Sequence, residues 1–239
     1  MSRFTLSTLA LTMLASAATA AELPLYLMEV PPLTINSPDR KGIVGDVVLE
    51  AMKRAGIEPR LIVEPSPRAM ANVQNKDNAL IIPLARLKER EDKYTWIAPV
   101  ARVSRAFFSL GQRADSFDDA RQQFHAIAVS RGSAGLDILL EHGFSRDQIV
   151  VVNQGLSAPR MLLAGRVDAW YNLVLESQVL FKQLGKPTAP MGAPLGSSDQ
   201  YLACSKTCDE RVVARLAEEI RAMQADGSAR RIAARYDDD

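Results

Sequence analysis

The chain has 239 residues, 47% of them hydrophobic and 24% charged, with 29 Lys and Arg against 28 Asp and Glu. These are ordinary proportions for a globular protein, with material for one large domain or two small ones and a full core. A balance this close to neutral gives no electrostatic footprint for nucleic acid or an anionic membrane.

The N-terminus reads as a targeting segment. Arg3 supplies a short positive region, Phe4 to Leu14 an apolar stretch, and Ala18-Thr19-Ala20 a small-residue cleavage pattern. Residues 1–20 are therefore expected to be an export signal removed near Ala20, too short for a convincing membrane span. No Cys follows that would carry a lipid anchor. Removing Arg3 leaves 28 basic residues against 28 acids, a formally neutral mature chain. An exported chain meets an oxidising compartment, so the lone pair Cys204 and Cys208 is expected to form a disulfide. A metal site would need further ligands nearby, and the histidines are only His125 and His142. Neither metal nor cofactor is expected.

From Leu23 the chain alternates strands and helices. Leu23 to Val30 reads as a strand stopped by Pro31-Pro32. Asp46 is placed as the N-cap of a helix with an apolar stripe of Val47, Val48, Ala51, Met52 and Ala55, closed by Gly56. Ile57 to Val63 is a strand, Pro65-Ser66-Pro67 opens a short helix carrying Arg68, and Leu80 to Ile82 is a strand ended by Pro83. Val103 to Leu110 is apolar and β-prone, and Gly111 to Gln123 a polar passage. The same grammar then restarts. Strands at Ala126–Val129, Ile149–Val152 and Val167–Tyr171 alternate with helices at Gly135–Glu141 and Ser157–Ala164, and Leu173–Leu184 adds another helix. Gln200 to Ala203 is a strand, and Thr207-x-x-Glu210 matches a capping box before a stripe of Val212, Val213, Leu216, Ile220 and Met223. Two β-α-β-α-β units predict an α/β protein of two lobes with a ligand cleft between them.

Arg86 and Arg90 stand four apart, a spacing that would put both guanidiniums on one helical face and could receive a carboxylate. On spacing alone a solvated turn, with both paired to Glu89, Glu91 or Asp92, is the commoner arrangement. Arg131-Gly132-Ser133-Ala134 follows a strand and opens a helix, a place for an anion or simply an ordinary turn. Arg68 sits in a first helical turn, where a cation is unfavourable to the dipole unless it has another role. Trp170 and Tyr171 close a strand, so one ring is expected in the core and the other at the cleft. Trp96 is expected in the core. There is no G-x-S-x-G, no Walker pattern and no histidine beside a triad partner.

Taken together, these residues resemble the family 3 extracellular solute-binding proteins, receptors typified by polar amino-acid uptake systems. The resemblance rests on Glu29-Val30-Pro31-Pro32, Gly42-Ile43-Val44-Gly45-Asp46, Pro67-Arg68-Ala69, Arg86-x-x-x-Arg90-Glu91 with Tyr94-x-Trp96-x-x-Pro99, Arg131-Gly132-Ser133 and Asp226-Gly227-Ser228. It covers essentially the whole mature chain, and the arginine pair points to the subgroup with an Arg-x-x-x-Arg-Glu motif. It implies a type II periplasmic-binding fold, each lobe a mostly parallel sheet flanked by helices. Lobe 1 would comprise residues 21–109 and 200–239 and lobe 2 residues 110–199, with crossings near Phe108–Gln112 and Gly196–Tyr201.

By that resemblance Arg90 grips a ligand carboxylate, helped by Gly132 and Ser133, with Arg86 and Arg68 joining the anionic pole and Tyr171 lining the cleft. The chain departs from amino-acid binders in three places. Ile82-Pro83-Leu84-Ala85 stands where they carry small hydroxyl residues. Asn172-Leu173 stands where they place an acid for the α-ammonium, and Val30 where an aromatic stacks on the ligand. Glu29 is then the candidate acid. The implied function is a periplasmic receptor, monomeric and not an enzyme, for an amino acid or related organic acid. Its partner would be an ABC transporter permease or another inner-membrane protein. The alternatives are an accessory or sensor protein docking on a membrane partner, and an enzyme like cyclohexadienyl dehydratase with Glu29 and Glu176 as acids.

Overall fold

A computed structural model describes residues 22–236. The expected export signal and the final three acids lie outside the described residues.

The first lobe begins with β1 (Leu23–Leu27), α1 (Ile43–Ala55), β2 (Pro59–Val63), α2 (Ser66–Gln74) and β3 (Leu80–Ala85). β1 pairs in parallel with β2 on one side and β3 on the other. A long strand, β4 (Tyr94–Ser109), then leads into α3 (Phe117–Gln123), β5 (Ile127–Ser130), α4 (Gly135–Glu141) and β6 (Ile149–Val152). After them come α5 (Ser157–Leu163), β7 (Ala169–Leu173), α6 (Val174–Gln183), β8 (Ser197–Ser205), α7 (Glu210–Ala225) and α8 (Ser228–Ala233). β5 is parallel to β6 and β7. The strands order as β2-β1-β3-β8-β4-β7-β5-β6. Two parallel β-α-β-α-β units are thus joined through antiparallel β8 and β4. β4 pairs with β8 up to Ser104 and with β7 from Arg105 onward, so one continuous strand serves both halves.

Each half has its own apolar core. In the first, Val44, Val47, Val48, Ala51 and Met52 of α1 pack with Leu216, Ile220 and Met223 of α7 over Leu25, Leu80 and Ile82. The apolar stripes read from the sequence are these faces. In the second, Phe107 is the centre of an aromatic cluster, its ring 4.7 Å from Tyr171, 5.9 Å from Phe124 and Phe144, and 6.1 Å from Phe117. That cluster fixes Tyr171, whose neighbour Trp170 is fully buried on the other face against Phe108 and Phe181.

Several local expectations are corrected. α1 starts at Ile43, not after Asp46; the Asp46 carboxylate instead accepts the Lys41 N–H at 2.8 Å and the Tyr236 hydroxyl at 2.6 Å, tying the C-terminus to the first helix. Pro83 does not end β3, which runs on to Ala85 with a register shift between Ile81 and Leu84. Thr207 does not cap α7: Asp209 accepts the Arg211 N–H at 2.8 Å, while the Thr207 hydroxyl is turned to Asp77. Trp96 is only half-buried, edge-on to Tyr201. Cys204 and Cys208 are joined, closing a turn just before α7. No helix among the described residues is long and apolar enough to cross a membrane.

Phe107→Ala would leave a void at the centre of the aromatic cluster and is expected to cost about 3–5 kcal/mol of unfolding free energy. Leu110→Ala, at a site 53% exposed, is expected to change it by less than about 0.5 kcal/mol. Urea denaturation of the two variants measures the difference.

Candidate functional site

Where β4 and β8 run between the lobes, the walls of the two halves meet and enclose a space of about 50 Å³. That is room for a few waters or one short solute. The first lobe contributes the end of β1, Ser66 at the start of α2, and Arg90. The second contributes the turn after β5 with Gly132 and Ser133, and Tyr171, Asn172 and Glu176 at the β7–α6 junction.

The lobes touch across this space. The Ser66 backbone N–H donates to Gln154 Oε1 at 3.2 Å, and Gln154 Nε2 donates to Ser66 Oγ at 2.7 Å. Gly132, at φ +76°, lies so close to the other lobe that a Cβ there would stand 3.1 Å from Pro67 Cδ and 3.2 Å from Ser66 Cβ. Both the backbone conformation and the close approach call for glycine. Ser133 Oγ accepts the Gly135 N–H at 3.2 Å, holding the turn in shape.

Arg90 is buried, and its Nη2 lies 3.6 Å from Oδ2 of Asp137 in the first turn of α4, a contact between the lobes. Burial pushes the Arg90 guanidinium below its usual range, and Asp137 only partly offsets this. The Asp137 carboxyl is itself raised, by burial first and then by Glu89, against the lowering effect of Arg90. Both partners are thus pushed toward their neutral forms. At 3.6 Å the half-buried Asp137 does not recover the cost of burying the Arg90 charge.

Arg105, in the middle of β4, is the second guanidinium here and is only 7% exposed. Burial lowers its pKa, and nearby Arg90 adds to that, while Tyr171 and Glu176 oppose it. Glu176, in the first turn of α6, is buried and its carboxyl is pushed up to about 7 by that burial, with Asn172 and Arg105 pulling the other way. Tyr171 is pushed up to about 12, again by burial, with Arg105 as the opposing influence. Asn172 Nδ2 donates to Ser177 Oγ at 3.2 Å, which fixes the amide beside Glu176.

The residues singled out in the sequence do not all converge. Arg90, Gly132, Ser133, Tyr171 and Asn172 line the enclosed space. Arg86 does not. It lies outside, bonded to Glu91, with its guanidinium 5.5 Å from the Trp96 ring centre and 5.7 Å from that of Tyr201. The reason is local: residues 88–93 form a 3-10 helix that starts after an extended Leu87, so Arg86 is not on its face. Arg68 is exposed on α2 and does not line the space. Glu29 is exposed too, on the wall of an outer groove of about 710 Å³ shared with Glu64 and Arg131. Glu176 lines the inner space instead. The outer groove is larger, with Glu29 and Arg131 exposed on it; the inner space gathers buried polar groups with shifted titration and is the candidate binding site.

Arg105, Asp137 and Gln200 went unnoticed in the sequence. The usable signal was Arg105 itself, a cation directly before the apolar Ala106-Phe107-Phe108 of the same strand, where a charge needs a reason to be there. Among the described residues, no cluster of three or more His, Cys, Asp or Glu could hold a metal.

No protein-family model matches the chain, and no curated protein matches it. Solved structures do. A histidine kinase sensor domain with similarity to periplasmic binding proteins superposes with a TM-score of 0.82 at 16% identity, covering 90% of this chain and 96% of that one. The GluR0 ligand-binding core from Nostoc punctiforme, in complex with L-glutamate, gives 0.77 at 18% identity over 91% and 100% of the two chains. The ancestral amino acid-binding protein AncCDT-1, a precursor of cyclohexadienyl dehydratase, gives 0.76 at 14% identity over 90% and 95%. At these identities the likeness fixes the fold: an α/β periplasmic-binding-protein-like fold matching the type II amino-acid-binding proteins, two lobes around a cleft.

The raised Glu176 carboxyl has a definite effect on stability. Its folded value of about 7 lies above the ordinary 4.5, so its favourable contribution is complete below about pH 4.5 and is lost as pH rises through about 7. The loss should approach about 3 kcal/mol. Denaturation of the wild type and Glu176→Gln at pH 5 and pH 8 is expected to show the wild type losing stability relative to the variant as pH rises. An unchanged difference between the two pH values would contradict the burial of this acid.

Proposed function

We propose that the chain is an exported, monomeric receptor that closes two lobes around a small carboxylate-bearing solute, an amino acid or related organic acid. In this reading residues 1–20 are removed, the mature protein works in the periplasm, and the solute passes to an ABC-type permease or another inner-membrane partner. Lobe 1 comprises residues 21–109 and 200–239, and lobe 2 residues 110–199.

The observation that carries the reading is Arg90: a buried guanidinium facing the cleft, with Asp137 too distant to balance it. A carboxylate bound bidentately would be the better partner, because parallel charge-assisted hydrogen bonds suit the guanidinium fork. It would also draw the lobes together, since the groups around it come from both. The fold shared with amino-acid-binding proteins supports a clamp of this kind.

A second reading is favoured by one observation. Glu176, with its carboxyl at about 7 beside Arg105, has the character of a proton donor poised near neutral pH. Such a group would serve a dehydratase acting on a carboxylated ring, and conversion of prephenate to an ultraviolet-absorbing product by the wild type would favour that reading.

The test is a thermal-shift and calorimetric screen of residues 21–239 against amino acids, dicarboxylates, aromatic acids and polyamines. A carboxylate at about a hundred times its Kd should add about 2.7 kcal/mol of stability. Arg90→Ala is expected to weaken that ligand about 100-fold, since a buried charged hydrogen-bond partner is lost, whereas Arg86→Ala should leave it within about threefold. Equal affinity in Arg90→Ala and wild type would sink the assignment.

A further inference from the structure

The cleft carries a second feature, and the inference from it rests on reading the cleft as an anion site. The two strands that run between the lobes each send one polar side chain into it: Arg105 from β4 and Gln200 from β8. Among the described residues, no carboxylate lies within 4.0 Å of the Arg105 guanidinium. Its side-chain hydrogen bond is from Nη1 to Ser198 Oγ at 2.8 Å, which leaves most of its donors unused. Gln200 is 3% exposed, and its Nε2 is buried with no acceptor at all. Buried donors are rarely left this way in folded proteins, and such exceptions ask for an explanation.

The unmet need is one-sided. Arg105 and Gln200 Nε2 are both donors, and Glu176 next to them offers another whenever its carboxyl is protonated. What this end lacks is an acceptor with charge. A basic solute would face the Arg105 guanidinium directly, and an apolar tail would leave both donors unmet. Arg90 lines the same small space, near enough for the two guanidiniums to oppose each other's charge. One short molecule can therefore reach both.

We propose that the solute is a short diacid, with one carboxylate held by Arg90 and the second by Arg105 and Gln200 Nε2. Arg90 then supplies affinity for acids in general, and the Arg105–Gln200 end selects those with a second acidic group. An α-ammonium is no part of this requirement.

Succinate and butyrate make the matched probes, four-carbon acids that differ in the second carboxylate. In titration calorimetry near pH 7 the wild type is expected to bind succinate about 10- to 100-fold tighter than butyrate, because a site built to hydrogen-bond a group rejects the analogue lacking it. Arg105→Gln should erase that preference, so that the variant binds succinate and butyrate alike. Gln200→Leu, which keeps the volume and removes the donor, should reduce the preference several-fold, and it serves if Arg105→Gln does not fold. Equal binding of the two acids by the wild type, or a preference that survives the folded variants, overturns the second pole and leaves the Arg90 reading standing. If the wild type binds no carboxylate in the panel, the receptor reading falls and this inference with it.

Discussion

The contact on which the rest depends is the one between Arg90 and Asp137, 3.6 Å apart across the cleft. It is a poor ion pair: Arg90 is buried and Asp137 half-buried, and both are shifted toward their neutral forms. Breaking a buried pair is costly, and making one at this distance gains little. The cleft therefore holds positive charge in search of a better partner. Arg105, with no carboxylate in ion-pairing reach among the described residues, deepens the same imbalance. A solute that brings negative charge is the simplest way to relieve it.

The fold explains how two guanidiniums come to be buried together. β4 pairs with β8 in one half and with β7 in the other, so Arg105 on β4 and Gln200 on the neighbouring β8 line the cleft between the halves. Arg105 lies at the residue where β4 exchanges β8 for β7 as its partner. Arg90 comes from the first lobe alone, and Asp137, Gly132 and Glu176 from the second. A ligand touching all of them feels the relative position of the lobes. In the proposed receptor its binding and their closure would be one event, biased by contacts made only when the cleft is shut. The glycine at 132 and the Ser66–Gln154 bonds show how closely the walls meet in that state.

The sequence made the architecture legible because its signals were periodic and local. The α1 and α7 stripes, Gly56 with its left-handed backbone, and the repeated β-α-β units all appear where the pattern put them. Arg90, singled out by its motif, lines the cleft. What failed was inference from spacing alone. Arg86 and Arg90 are four apart, but a 3-10 turn and an extended Leu87 separate them, one toward solvent and one toward the cleft. Asp46 and Thr207 have capping side chains, yet other partners, Tyr236 and Asp77, take them. Arg105 and Gln200 were hidden for another reason. They stand in strands among both polar and apolar neighbours, and only the pairing of β4 and β8 shows that their positions line a shared cleft.

The most direct test is nitrogen-resolved NMR of the arginine side chains during titration with succinate. The account predicts that the Arg90 and Arg105 guanidinium protons shift and become protected from exchange as the acid binds, while those of Arg68 and Arg86 stay unchanged. Changes confined to Arg68 or Arg86, or saturable binding that leaves Arg90 untouched, would contradict it.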